Sequence, residues 1–373
     1  MLGSKRLIRI VLQLVALLVV SWGIYLSLQK SAQQLASQKL SLQQQANSLR
    51  EKAEQAESDE KTRLLAEADK LQNNAIRFWQ ADWRWLLAAA ASYGLGMLPA
   101  GAFWDRCLRA MGQNAPRMWV QWAYFFGNLG KYFPGKAMVI ILRLGALEPF
   151  GIKKVVTSVT IFMETLSLMS VGGAMSAISL ILLNLDWRLS LLACGLLVAT
   201  FLPTFPPLVR WLVPKVQRGV PEDQLQQWLQ RIDARLLFQG WGMLVITWIG
   251  FALSLYCVLR GLPSVESSGF VKNDDPSNLA VIYIWTLSCV AACGLAVVLG
   301  FVSMVPGGAG VREVVLSAVL TPVVGPIAAL CAAVWLRVVW LATEVTMAGL
   351  FGLLLGRRAW SHQPPNSTAV TNE

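Results

Sequence analysis

Seven apolar runs of about 20 or more residues, the length a helix needs to cross a bilayer, divide this chain. They are Leu7 to Leu28, Arg84 to Phe103, Val155 to Leu185, Leu189 to Val213, Leu236 to Leu259, Leu279 to Val302 and Ile327 to Leu355. Lipid offers no hydrogen bonds, so each backbone N–H and C=O in such a run must be satisfied within a helix or a closed barrel. Runs this long, without strict alternation, point to helices. Composition agrees. Of the 373 residues, 55% are hydrophobic and 14% charged, against about 25% charged in ordinary soluble domains. The net charge of +11 does not imply nucleic acid, because Lys and Arg sit at the ends of the apolar runs, where they orient helices.

Lys5, Arg6 and Arg9 place the N-terminus in the cytoplasm, and the first run exceeds the roughly 7–15 residues of a cleavable signal core. Residues 1–28 are therefore expected to be a retained transmembrane anchor, with a cleaved signal as the alternative. Arg106, Arg109 and Arg117, then Lys153-Lys154, Arg210 to Arg235 and Arg357-Arg358, mark cytoplasmic ends; Glu266, Asp274 and Asp275 mark an outer loop. The expected fold class is an all-α polytopic membrane protein of the cell inner membrane. About seven to eight transmembrane helices, re-entrant broken helices and an extramembrane helical hairpin make it up.

That hairpin is read from Gln29 to Trp79, which holds no glycine or proline. Leu28, Leu35, Leu42 and Leu49 recur every seven residues and are followed by Ala56, a coiled-coil spacing. Ser58-Asp59-Glu60 can cap a second helix carrying Leu64, Leu65, Ala68 and Leu71. Residues 29–80 are expected to form an extracytoplasmic α-helical hairpin packed on itself; self-association or an envelope partner is the alternative. Residues 81–358 would form the main transmembrane domain and 359–373 a polar tail.

Two apolar stretches are interrupted. The first break is Gly130-Lys131-Tyr132-Phe133-Pro134-Gly135-Lys136; the second runs from Ser303 to Glu313 and contains Pro306, Gly307, Gly308 and Gly310. Broken helices at membrane depth are tolerated where protein or a polar cavity satisfies the freed backbone groups, and a pair of them points to a midplane substrate site. Positive charge at both ends makes the first a re-entrant hairpin. The second is expected to complete a short crossing over 303–326; a hairpin in its place would move the C-terminus to the other side.

Ionisable residues in apolar surroundings are site candidates by default. Lys131, Lys136, Arg143 and Arg312 are the candidate phosphate ligands, with Gly307, Gly308 and Gly310 allowing close approach at a helix N-terminus. Glu164, Glu313, Arg337 and Glu344 are candidates for balancing charge or receiving a headgroup. The plainer alternative is internal ion pairing, Arg312 with Glu164 and Arg337 with Glu344, holding helices in register. The six cysteines form no Cys-x-x-Cys pair, and the single histidine, His362, is in the tail. No metal site and no cofactor are expected.

Val305-Pro306-Gly307-Gly308-Ala309-Gly310-Val311-Arg312-Glu313 resembles a signature of the flippase-like transmembrane domain family related to lysylphosphatidylglycerol synthase. The stretch Asn128 to Lys136 with Arg143 is similar to the same family's tyrosine-x-proline-glycine element, and Glu164 falls where the family often has a glutamate followed by arginine; here Thr165 follows. The resemblance covers about Arg84 to Arg358. It implies a membrane-embedded bundle that moves or binds lipids with phosphate-bearing heads, such as aminoacylated or polyprenyl-linked ones, with no synthase domain in the short tail. The expected function is lipid translocation by a protein that is not an enzyme. An intramembrane transferase acting on a lipid-linked substrate and an envelope scaffold built on the helical hairpin are the alternatives.

Overall fold

The computed structural model describes residues 40–41, 43–76, 81–132, 137–183, 187–202, 207, 233–263, 279–303, 305–308 and 310–359, and every regular element among them is helical. The expected anchor Leu7 to Leu28 lies outside the described residues, as do Pro134, Gly135, Lys136 and the tail from Trp360.

Two helices precede the bundle, α1 (residues 43–55) and α2 (Ser58–Ile76). Asp59 and Glu60 fill the first turn of α2, where exposed N–H groups favour negative charge. The pair closes on small residues: Ala46, Ala53 and Ala68 are almost wholly buried, and Arg50 bridges Asp69 at 2.7 Å. The buried register is thus Ala46 and Ala53 and not the expected leucine heptad: Leu49 and Ala56 are only half-buried, and Leu28, Leu35 and Leu42 lie outside the described residues.

The bundle proper contains α3 (Trp83–Ala110), α4 (Arg117–Asn128), α5 (Ala137–Leu147), α6 (Lys154–Leu183), α7 (Trp187–Phe201), α8 (Ala234–Arg260), α9 (Leu279–Val302), α10 (Val311–Val324) and α11 (Pro326–Ala359). Five of them, α3, α6, α8, α9 and α11, are long and apolar enough to cross a membrane. The chain is a multi-pass, all-α membrane protein. Helix α7, 15 residues long, covers the run Leu189 to Val213 only as far as Phe201, and most of the remainder of that run lies outside the described residues.

The bundle keeps apolar side chains on its outside as well as inside. Leu87, Leu95, Phe162, Ile178, Phe238, Ile246 and Leu353 are all exposed, an arrangement suited to lipid. Inward faces use small and polar residues instead, as bilayer helices do to let backbones approach; α6 buries Thr157, Thr160, Ser167, Ser170, Ser176 and Ser179.

Helices α3 and α8 run antiparallel along their whole length. The Asp82 N–H donates to the Gly261 carbonyl (2.9 Å) at one end, and Arg106 donates to Gln239 (3.3 Å) near the other. Both helices start on an aspartate cap: Asp82 accepts from the Arg84 N–H and Asp233 from the Leu236 N–H. They cross at Gly96 and Gly250, where a Cβ on either would come within 3.0 Å of the other's Cα. Alanine at either position would push the pair apart.

The two sequence breaks are the tips of two helical hairpins. In the first, α4 leads into a 3-10 turn at Leu129–Tyr132 and α5 returns beside it, with Arg143 meeting Asn128 and the Gly130 Cα facing Val139. In the second, α10 folds back on α9: Gly300 lies against Arg312, while Ala296 and Leu316 line one cavity, so paired residue numbers keep a constant sum. After Gly325, at φ 82°, α11 reverses again and Glu313 meets Arg337.

At about 1.5 Å per residue α4, α5 and α10 extend only about 16–21 Å, less than the roughly 30 Å of a hydrocarbon core. The hairpins approach from opposite ends of α11. Phe125 of α4 stacks on Phe351 near its C-terminal end, whereas α10 joins its N-terminal end at Gly325. Helix α10 turns back along α9 and α11 turns back along α10, and Phe351 of α11 lies at the end of the bundle where α4 packs.

Candidate functional site

The hairpin tips meet. The turn Leu129–Tyr132 packs against the turn Pro306–Gly308, and a Cβ on Gly307 would stand 3.3 Å from the Tyr132 ring and 3.1 Å from the Arg337 guanidinium. Gly307, Gly308 and Gly310 have φ of 59°, 66° and 86°, a region that costs other residues about 1–2 kcal/mol. These positive angles fold the chain tightly enough for backbone and cations to come together.

Around this junction lie three cations and two carboxylates. Glu344 of α11 is wholly buried, and its Oε1 accepts from both the Lys131 ammonium and the Tyr93 hydroxyl of α3. Lys131 also donates to Tyr93 Oη at 3.4 Å and lies 5.2 Å from the centre of the Tyr132 ring. Glu344 Oε2 is buried with no hydrogen-bond partner among the described residues. Tyr93 itself stacks on Trp340 at 4.4 Å. Seven residues before Glu344, Arg337 pairs with Glu313 and donates to the Gly307 carbonyl at 3.3 Å. Glu313 Oε2 accepts the Gly310 N–H at 2.7 Å, capping its own helix. The N-terminus of α10, expected as a phosphate cradle, is therefore already occupied by a carboxylate.

Arg312 makes no ion pair among the described residues, and its Nε is buried without a hydrogen bond. A Cβ on Gly300 or on Gly308 would stand 2.8 Å from that Nε, so two glycines shape the slot that holds the side chain. It lies within electrostatic reach of Arg337, Tyr132, Tyr93, Glu313 and Lys131. Arg312, Glu313 and Arg337 border a small cavity of about 20 Å³ that Cys293, Leu316, Leu336 and Trp340 also line. That volume admits about one ordered water. Among the described residues, three cations face two carboxylates, and Arg312 is the cation without an ion pair.

Arg143 and Glu164 form a separate group. Arg143 NH1 donates to Glu164 Oε2 at 2.9 Å and NH2 to Asn128 at 3.0 Å, and Tyr124 donates to Glu164 Oε1 at 3.0 Å. The guanidinium also packs 4.7 Å from the Trp104 ring centre and 4.4 Å from that of Tyr124. Thr165 donates to Glu164 at 3.3 Å, so the position after the glutamate supplies a hydroxyl and Arg143 supplies the cation. The pairings Arg312 with Glu164 and Arg337 with Glu344 are both corrected: Glu164 takes Arg143, Glu344 takes Lys131, and Arg337 takes Glu313.

Tyr93 was not singled out from sequence, although one signal was available. It is the eleventh of 28 residues in α3, deep in an apolar run, whereas membrane tyrosines gather at the interfaces. Among the described residues no group of three or more His, Cys, Asp or Glu is placed to hold a metal. No protein-family model matches the chain, and no curated protein matches it.

Proposed function

We propose that this chain is a flippase-like lipid transporter whose hairpin junction takes the phosphate-bearing headgroup of a membrane lipid. The observation that carries the proposal is Arg312, which has no ion-pair partner among the described residues and borders a cavity lined by α9, α10 and α11 beside the junction of the two hairpins. A buried cation is costly unless it has a partner, and a phosphate fits a planar guanidinium donor well. Depth supports the same assignment. Arg337 and Glu344 are the twelfth and nineteenth of the 34 residues of α11, so the junction stands near the middle of a helix long enough to cross.

On this proposal α4–α5 and α9–α10 are re-entrant hairpins entering from opposite faces, which leaves six of the seven apolar runs to cross the membrane. The N-terminus and Arg357-Arg358 face the cytoplasm across the inner membrane. Lys131 and Arg312 hold the headgroup phosphate, and movement of one hairpin against the other carries it across while the acyl chains stay in lipid. Arg143 and Glu164 fix the first hairpin. The residues that resemble the lysylphosphatidylglycerol synthase-related family fall at both hairpin tips, which suits this assignment. No covalent chemistry is required, so the protein acts as a carrier and not as an enzyme.

A headgroup-accessibility assay in proteoliposomes with fluorescent phosphatidylglycerol and a panel of other anionic lipids tests it. Wild-type protein should equilibrate at least one lipid across the bilayer, and Arg312→Ala should slow this more than tenfold. Undiminished movement in Arg312→Ala across the whole panel overturns the assignment.

A further inference from the structure

We propose that the cavity between α9, α10 and α11 is a binding site for one monatomic anion, chloride, which serves as the counter-ion of Arg312. The site shares Arg312 with the headgroup site proposed above but needs no lipid movement, so the two readings stand or fall separately. Its starting point is that Arg312 has no ion pair among the described residues and keeps a buried Nε without a hydrogen bond. An ionised side chain at membrane depth is costly unless it is paired or hydrated.

Two guanidiniums border the cavity, that of Arg312 from α10 and that of Arg337 from α11. Each has an Nε that is buried with no hydrogen-bond partner among the described residues. The other polar groups on the wall are already engaged. Glu313 Oε1 accepts from Arg337, and its Oε2 accepts the Gly310 N–H at 2.7 Å. The Cys293 thiol donates to the Phe251 carbonyl at 3.5 Å, and the Trp340 indole donates to Ser254 at 3.1 Å. The donors left over on this wall are therefore the two guanidiniums. The rest of it is apolar, with Ala296 of α9, Leu316 of α10 and Ala333 of α11.

Size selects among anions. A cavity of about 20 Å³ has room for one particle of about the size of a water. Chloride is a single atom little larger than a water, whereas phosphate, sulfate and carboxylates carry several oxygens around a centre and do not fit unless the helices part. A water in the same place would satisfy N–H groups and leave the charge unanswered. A halide also has no directional lone-pair geometry to satisfy, which suits a wall that offers N–H donors on one side and alkyl groups on the other. The guanidinium, itself weakly hydrated, is a fitting partner for it. Gly300 and Gly308 keep that partner in place, because a Cβ on either would stand 2.8 Å from Arg312 Nε. On this assignment an arriving lipid phosphate displaces the chloride, one negative charge exchanging for another.

The test uses full-length protein in detergent, with sodium chloride exchanged for sodium gluconate, whose anion is too large for the cavity, at constant ionic strength. The wild-type unfolding midpoint should rise with chloride by about 2–4 °C per tenfold increase above the dissociation constant. Arg312→Gln, which removes the charge, should lose this dependence. Ala333→Leu, which keeps Arg312 and fills the cavity, should lose it as well. Crystals of wild-type protein grown in bromide should show an anomalous peak in the cavity beside Arg312 and Arg337. A chloride dependence that survives both substitutions places the ion elsewhere and overturns the site. Equal midpoints in chloride and gluconate with no bromide peak in the cavity also overturn it and leave the headgroup site standing. Chloride bound at Arg312 in a protein that moves no lipid supports the anion site and overturns the headgroup reading alone. Should the variants fail to fold, or the midpoints and the diffraction disagree, the wild-type bromide peak decides.

Discussion

Two buried ion-pair groups in this bundle use the same side-chain chemistry to different ends. At Arg143 and Glu164 each charge has an opposite partner, supported by a tyrosine, an asparagine and a threonine, with both charged side chains 2% exposed; Arg143 Nε, like Arg312 Nε and Arg337 Nε, has no hydrogen-bond partner among the described residues. At the hairpin junction the books do not balance. Lys131 and Arg337 have carboxylates, Arg312 has none, and a cavity lies beside it. A closed group of this kind holds helices in one arrangement, whereas an open one keeps capacity for a further charge. The difference separates a hinge support from a binding site, although both lie between broken helices.

The comparison breaks most readily at Glu164. Glu164→Ala leaves Arg143 ionised and buried, so it is expected to destabilise by about 3–5 kcal/mol, read as a large fall in the unfolding midpoint in detergent. A loss under about 1 kcal/mol, the range of exposed pairs, would mean that the closed group is not structural. Gly308→Ala comes next. It forces a side chain into φ 66° and places a Cβ 2.8 Å from Arg312 Nε, so about 1–2 kcal/mol of strain is expected together with a displaced Arg312. Headgroup movement in proteoliposomes should fall with it. Gly310, at φ 86° with open space around its missing Cβ, is the control, sharing the backbone strain without the collision.

The helices were readable because apolar length is a direct physical signal; Leu279 to Val302 is the same in sequence and structure, and Leu236 to Leu259 extends only to Ala234–Arg260. The glycines of the second break were readable because positive φ and close approach leave few other choices. Partners were not. Arg337 and Glu344 share a face of α11, but seven residues of helix separate their backbones by about 10 Å, and each finds a nearer partner on a different hairpin tip. Such a choice depends on how short helices stack across more than 200 residues of chain, as Lys131 and Glu344 do. The folding back of α10 was ambiguous for a related reason. Its 14 residues are too few to cross and too many for a loop, so only the register of Gly300 on Arg312 and Ala296 near Leu316 decides the direction.

Smaller effects refine the comparison. Thr165→Val removes one 3.3 Å hydrogen bond from a carboxylate that keeps Arg143 and Tyr124, and about 0.5–1.5 kcal/mol is expected from the unfolding midpoint. Arg312→Ala should change stability least, by less than about 0.5 kcal/mol or in the stabilising direction, because it removes a charge that forms no ion pair among the described residues. The same substitution should have the largest effect on headgroup movement. That opposition is the sharpest consequence of an open group: its unpaired member contributes little to the fold and much to the task. An Arg312→Ala variant as unstable as Glu164→Ala would place Arg312 among the structural charges, and the difference between the two groups would disappear.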